Sequence, residues 1–91
     1  DRALKDNVVT ITDTGIIESL NPVSFNWKET GAKSYGLIAQ EVEEILPEIV
    51  HQDGDKKTVS YIQLIPFLIA TVQKQQKEIS MLNSKLDNLT A

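Results

Sequence analysis

The sequence predicts an α+β fold, with a small head of short β-hairpins and short helices followed by a long C-terminal helix. The helix is indicated by apolar residues at alternating steps of three and four over residues 65–89, the a/d pattern of a coiled coil. The hairpins are indicated by short runs of alternating apolar and polar residues that flank turn-forming residues. We expect one functional domain, residues 1–91, made of a head (1–61) and a C-terminal helix (62–91).

Length and composition limit what the chain can do. Its 91 residues suffice for one small domain, and a domain of this size is marginally stable alone. The net charge of −4 and the lack of a basic stripe argue against a nucleic-acid partner. The longest apolar run, residues 64–70, is too short to cross a bilayer, so we expect no membrane partner. Without cysteine and with only His51, we predict no metal ion or other cofactor.

The first third of the chain contains three weak signals. Residues 1–7 are polar and charged, and we expect a short helix or an extended lead-in. Residues 8–12 are rich in β-branched side chains and are predicted as an edge strand. Residues 16–20 are predicted as a short helix, which Asn21-Pro22 ends.

Two hairpins are predicted in the head. Val23, Phe25 and Trp27 alternate with polar residues, so we pair a strand at 23–28 with one at 34–38 and place both aromatic side chains in the core. Asp53-Gly54 favours a second hairpin, between residues 49–52 and 58–61, with a five-residue loop.

A helix is predicted between these hairpins, from Ala39 to the residue before Pro47. Val42, Ile45 and Leu46 share one of its faces. The glutamates of this segment are interpreted as a solvated face, since nothing in the sequence indicates a catalytic cleft around them. They are Glu41, Glu43, Glu44 and Glu48.

The long C-terminal helix carries a narrow apolar stripe, which we call the seam. The seam residues are Ile65, Leu68, Val72, Gln75, Ile79, Leu82, Leu86 and Leu89. A stripe of this kind on a projecting helix requires a partner helix, and another copy of the chain is the expected one. Gln75 is either a tolerated polar position or a layer that sets register. The seam residues themselves do not decide between two and three helices.

Pro66 places the start of this helix. A proline inside a helix removes a backbone hydrogen bond, at a cost of roughly 3 kcal/mol, whereas in the first turn it is tolerated. We therefore expect regular helix from about Gln63.

Four stretches carry a resemblance to a known family. The block GLIAQEVEEILPEIV at residues 36–50 resembles the signature of the intramolecular chaperone domains at the C-terminal ends of phage tail spikes and fibres such as endosialidases, the peptidase S74 family. DRALKDN at 1–7, VSFNWK at 23–28 and VSY at 59–61 resemble further parts of that family's pattern, in the same order. The resemblance extends over essentially the whole chain.

The resemblance implies a function. Such domains form homotrimers and template the folding of the β-rich fibre or spike that precedes them in the same polypeptide. They are then released by self-cleavage at their own N-terminus. The location implied is a virion tail precursor, made in the host cytoplasm, whose mature form lacks the domain.

The resemblance also implies a catalytic pair. Lys5 corresponds to the family's catalytic lysine, and the partner serine would directly precede Asp1. Whether that serine was cleaved off, trimmed or left out stays open, and we expect a chain without it not to make the cut. Gln40 and Glu41 either position this pair or the trimer contact, or have a structural role between strand and helix.

Two other functions stay open at this point. One is a serine endopeptidase that acts on other proteins. The second is a simple oligomerisation module, such as a coiled-coil dimer, without protease activity. The same family of domains also occurs in some eukaryotic membrane-bound transcription factors, and the sequence block favours the phage context.

Overall fold

The computed structural model describes residues 1–90, and its N-terminal part is an extended arm. A 3₁₀ turn at Arg2–Leu4 is followed by irregular chain as far as helix α1, Gly15–Ser19. The predicted edge strand at 8–12 is therefore wrong, because this segment pairs with no strand of its own chain. β-branched residues favour a strand only where a neighbouring strand supplies hydrogen bonds and side-chain packing. The short helix α1 is confirmed, one residue earlier than predicted.

The first hairpin is confirmed, with shorter strands than predicted. Strand β1, Val23–Asn26, pairs antiparallel with strand β2, Lys33–Gly36. The turn between them closes with Gly31 at φ 74°, a backbone conformation that glycine adopts without strain.

Helix α2, Ala39–Ile45, follows the first hairpin, and a 3₁₀ turn, Pro47–Ile49, ends it as Pro47 predicts. The second hairpin then pairs strand β3, Val50–Asp53, with strand β4, Lys56–Val59. Its loop has two residues and not the five predicted, since Gly54 at φ 63° allows a tight reversal.

The head has a small core around α2. Val42, Leu46, Ile49 and Leu64 are the buried apolar residues among residues 1–90. Side chains from α1, the second hairpin and the start of the C-terminal helix pack around them. Trp27 corrects a prediction, because it is 56% exposed and its ring meets that of Phe25 in a T-shaped, edge-to-face contact. Strand β1 ends at Asn26, so Trp27 lies in the turn beyond the face that packs inward.

Helix α3, Ile65–Thr90, is the longest element, with 26 residues. A 3₁₀ turn at Tyr61–Leu64 precedes it, and Pro66 lies in its first turn as predicted. The molecule is 61 Å long and has a radius of gyration of 18.3 Å, against about 12 Å for a compact chain of this length. The C-terminal part of α3, residues 72–90, therefore projects beyond the core of the head, and we call it the stalk.

Candidate functional site: the helical seam and the N-terminal arm

Every seam position of α3 is exposed in the single chain. The exposed fraction of the apolar seam residues runs from 47% for Leu68 to 83% for Leu89, and Gln75 is exposed as well. The predicted seam residues thus lie on one uncovered stripe, and no residue of the head covers it. Both interpretations of Gln75 stay open.

The head packs on a different face of α3, which we call the outer face. At 100° per residue, Phe67, Ala70 and Lys74 lie roughly 100–160° from the centre of the seam. Phe67 is half-buried against the core of the head, and Ala70 is half-buried beside residues 10–14. Thr71 lies between the outer face and the seam, is 7% exposed, and its hydroxyl donates a hydrogen bond to the Phe67 carbonyl at 2.8 Å. The fold therefore uses one face of α3 for the head and leaves the other free.

The N-terminal arm is anchored on the same outer face. Residues 10–14 run beside Ala70, Lys74 and Lys77, with a shallow cleft between them. The Lys74 ammonium donates a hydrogen bond to the Thr14 hydroxyl at 3.2 Å, and Thr14 is 5% exposed. This anchor connects the segment after Lys5 to the helix that carries the seam.

Lys5 lies at the exposed end of the arm. It follows the 3₁₀ turn in an extended conformation, and its backbone N–H donates a hydrogen bond to the Arg2 carbonyl. The Asp1 carboxylate caps this turn by accepting a hydrogen bond from the Ala3 N–H at 2.9 Å. Residues 1–10 are all exposed, and no residue in the described chain forms an ion pair with the Lys5 ammonium. The assignment of Lys5 as a catalytic residue stays a prediction.

Gln40 and Glu41 lie in the first turn of α2, and both are exposed. Over residues 1–90, no hydrogen bond or ion pair connects either side chain to Lys5. The single chain therefore does not assemble the predicted set, and a positioning role for Gln40 and Glu41 is untested.

An apolar groove opens next to Gln40 on the head. Its volume is about 440 Å³. Its walls are formed mainly by Phe25, Trp27, Ile38, Val59 and Tyr61. The rings of Phe25 and Trp27 meet edge to face, with their centroids 4.9 Å apart. Tyr61 is 50% exposed. Sequence reasoning missed this groove because it placed both aromatic side chains in the core.

Tyr61 connects two parts of the head that are distant in sequence. Its hydroxyl accepts a hydrogen bond from the Leu37 N–H at 3.1 Å. A Cβ atom at position 36 would lie 2.7 Å from the same hydroxyl, so only glycine fits there without a shift. This contact explains the glycine that opens the block at residues 36–50. The sequence contained both residues but no signal that they meet.

The acidic face of α2 is mostly solvated, as predicted. One exception is Glu43, whose carboxylate forms a part-buried ion pair with the Lys57 ammonium at 2.6 Å. His51 lies exposed on β3. Across the described chain, no group of acidic or histidine side chains could hold a metal ion. None of the helices described combines the length and the apolar character needed to cross a membrane.

Comparison with known proteins identifies the class of protein. A family model described as chaperone of endosialidase matches residues 1–51. The matched range makes up more than half of the chain and includes the arm, α1, the first hairpin and α2. The chain belongs to this family, Peptidase S74. None of the curated proteins matches it. The match ends before VSY at 59–61, so that part of the resemblance stays a prediction.

Proposed function

We propose that this chain is a homotrimeric intramolecular chaperone, which templates the assembly of a phage tail fibre or spike that precedes it in the same polypeptide. Self-cleavage then releases it. Membership of the chaperone of endosialidase family supports the chaperone role. The observation that carries the oligomer is the division of α3 into an outer face, which the head covers, and a seam left open along its whole length.

The open seam has a large stabilising potential. Burial of one Leu, Ile or Val side chain contributes roughly 1.5–3 kcal/mol. Seven of the eight seam positions are apolar and about half exposed or more, so their burial between copies would contribute on the order of 5–10 kcal/mol before the entropy cost of association. The four-residue core of the head is small by comparison. Association along the seam is therefore the main stabilising contact that we infer for the domain.

Association also provides the chaperone mechanism. Three chains held together along the seam keep their upstream segments at an effective concentration in the millimolar range, which is typical of short tethers. Folding of the fibre then starts from chains that are already aligned. In this scheme the domain acts in the tail precursor in the host cytoplasm and is absent from the mature virion protein.

Release requires a nucleophile and a base. A serine before Asp1 would attack the adjacent peptide carbonyl while the Lys5 amine takes the proton from its hydroxyl. The peptide C–N bond would then break as its nitrogen takes up that proton, and water would hydrolyse the resulting serine ester. A lysine amine serves as a base where burial lowers its pKa. The exposed position of Lys5 in the single chain indicates that the pair becomes active only after another surface covers the arm.

The oligomer is tested by the mass of the protein in solution. Sedimentation equilibrium is expected to give three times the chain mass. A mass of two chains would support a coiled-coil dimer, and a folded monomer at all concentrations would overturn the proposal.

The cut is tested with a chain that carries an upstream segment and a serine before Asp1. We expect cleavage at a rate per trimer that does not depend on concentration, and its loss in Lys5→Met. Cleavage of an added partner chain that lacks its own serine would instead indicate a protease acting on other proteins.

A second candidate is an oligomerisation module without protease activity. It is favoured by one observation, the exposure of Lys5, since burial is what lets a lysine amine serve as a base. Trimers that leave the upstream segment intact, in the experiment above, would select this candidate.

A further inference from the structure

The arm and the head groove are two exposed surfaces that complement each other. In the arm, Leu4 is 86% exposed, Val8 61% and Val9 81%. In the groove, Trp27 is 56% exposed and Tyr61 50%. Exposed apolar surface of this kind marks a site of interaction, and here one surface is a segment and the other a groove that could receive it.

We propose that residues 4–9 of one copy dock into the groove of the neighbouring copy, in an exchange of arms around the trimer. This inference rests on the proposed function, since it requires copies joined along the seam. It adds a second contact between chains, and it places Lys5 against the neighbour's head.

The position of the groove favours a neighbour's arm. Tyr61 lines the groove, and Ile62, 78% exposed, follows it three helical positions before the first seam residue, Ile65. Since side chains three positions apart are neighbours on a helix, exposed apolar surface continues from the edge of the groove to the start of the seam. The arm's anchor at Thr14 lies on the outer face of its own α3, away from that seam.

The arm is long enough to make this crossing. Residues 4–10 span at most roughly 20 Å, the length of a fully extended segment, and somewhat less with a turn in it. Packed helices lie about 8–10 Å apart, so the arm can reach past one helix to an adjacent head. Asn7, at φ 53°, turns the chain within this segment.

Docking would complete the set of residues that the single chain leaves apart. Gln40 lines the groove, so the neighbour's Gln40 amide would lie beside Lys5. Apolar contacts of Leu4 and Val8 on either side of Lys5 would exclude water from it. The exchange would thus make each catalytic lysine depend on two copies of the chain.

A disulfide trap tests the exchange directly, because the chain has no cysteine of its own. The variant Val9→Cys with Thr58→Cys places one thiol on the arm and one on the exposed rim of the groove. We expect covalent dimers and trimers on non-reducing gels. The matched control, Val9→Cys with Met81→Cys, directs the second thiol to the outer face of the stalk and is expected to give several-fold fewer.

The single variant Gln75→Cys separates the two proposals, since it reports only on the seam. Gln75→Cys could form covalent dimers while Val9→Cys with Thr58→Cys forms only disulfides within one chain, or no disulfide. That result would overturn the exchange of arms but leave the oligomer intact. The absence of covalent dimers from both would overturn the oligomer and the exchange together.

Polar substitutions in the arm give a second measurement. Val8 and Val9 make few contacts within a single chain. The double variant Val8→Ser, Val9→Ser therefore lowers stability only if another copy covers these side chains. We expect a lower thermal midpoint and a red shift of the Trp27 emission relative to Met81→Ser. A variant indistinguishable from Met81→Ser would contradict the exchange.

Discussion

The head and the stalk use apolar residues in opposite ways. The head buries Val42 and Ile49 almost completely, at 1% and 2% exposure, within one chain. The stalk leaves Ile79, Leu82 and Leu86 more than half exposed. The head therefore has a core of its own, however small, whereas the stalk has none within one chain, and we propose that other copies supply it. The face of α3 that the head covers and the seam that we propose for the assembly are different faces of one helix.

The largest expected effect is on the assembly, from a charge placed in the seam. Leu82→Glu would bury a carboxylate in each copy where no partner neutralises it, at a cost of several kcal/mol per chain. We expect the sedimentation mass to fall to one chain and the helical circular dichroism to decrease, since an isolated stalk is a marginal helix.

Met81→Glu is the matched control for this change. Met81 is also exposed, at 62%, but it lies outside the seam. We expect the mass of this variant to stay unchanged. Equal dissociation of both variants would show that the seam is not the interface.

The second effect concerns the head core. Val42→Ala removes two methyl groups from the most buried apolar side chain, with an expected cost of about 2 kcal/mol to the head. Urea unfolding followed by Trp27 fluorescence measures it, with the exposed Glu44→Ala on the same helix as control. If the head and the stalk are stabilised separately, the sedimentation mass in water stays that of the assembly.

The third effect is at the contact between Gly36 and Tyr61. Gly36→Ala forces a Cβ to 2.7 Å from the tyrosine hydroxyl, and we expect it to cost about 1–3 kcal/mol. Tyr61→Phe alone loses one hydrogen bond to the Leu37 N–H, worth about 0.5–1.5 kcal/mol.

The double variant Gly36→Ala, Tyr61→Phe makes this prediction sharper. Removal of the tyrosine hydroxyl makes room for the new methyl group, so the double variant should lose less stability than the two single variants added together. Additive costs in a double-mutant cycle would contradict the steric explanation.

The smallest effect is on the connection between head and stalk. Thr14→Val keeps the shape of a buried side chain but removes the acceptor for the Lys74 ammonium, so we expect a loss of about 0.5–1 kcal/mol. When Lys74 is already replaced by Met, Thr14→Val should leave the free energy of unfolding almost unchanged. A cost that persists in that background would assign the effect to packing of Thr14.

Much of this architecture could be predicted from sequence because the signals are local. The period of residues 65–89 predicted α3, and Pro66 located its start within two residues. Alternation around turn residues predicted both hairpins. Less of the candidate site could be predicted. Lys5, Gln40 and Glu41 come from a resemblance, and the single chain leaves them separate and exposed.

The errors share one cause, which is that partners distant in the chain decide burial. Residues 8–12 have strand-forming side chains, yet no strand with a free edge lies beside them. Trp27 continues an apolar alternation, but it lies beyond the last strand pair and remains 56% exposed. Propensity describes what a segment can form, and its neighbours decide whether it does.

The sequence by itself therefore determined the order of elements, the seam and its spacing along α3, because each depends on residues a few positions apart. Only the tertiary structure decided which face of α3 the head covers and that Gly36 meets Tyr61. It also decided where the arm is anchored. Thr14 and Lys74 are separated by 60 positions, and no local period can report a contact of that range. The physical reason is that periodicity shows that a helix has two faces, whereas only packing assigns a partner to each.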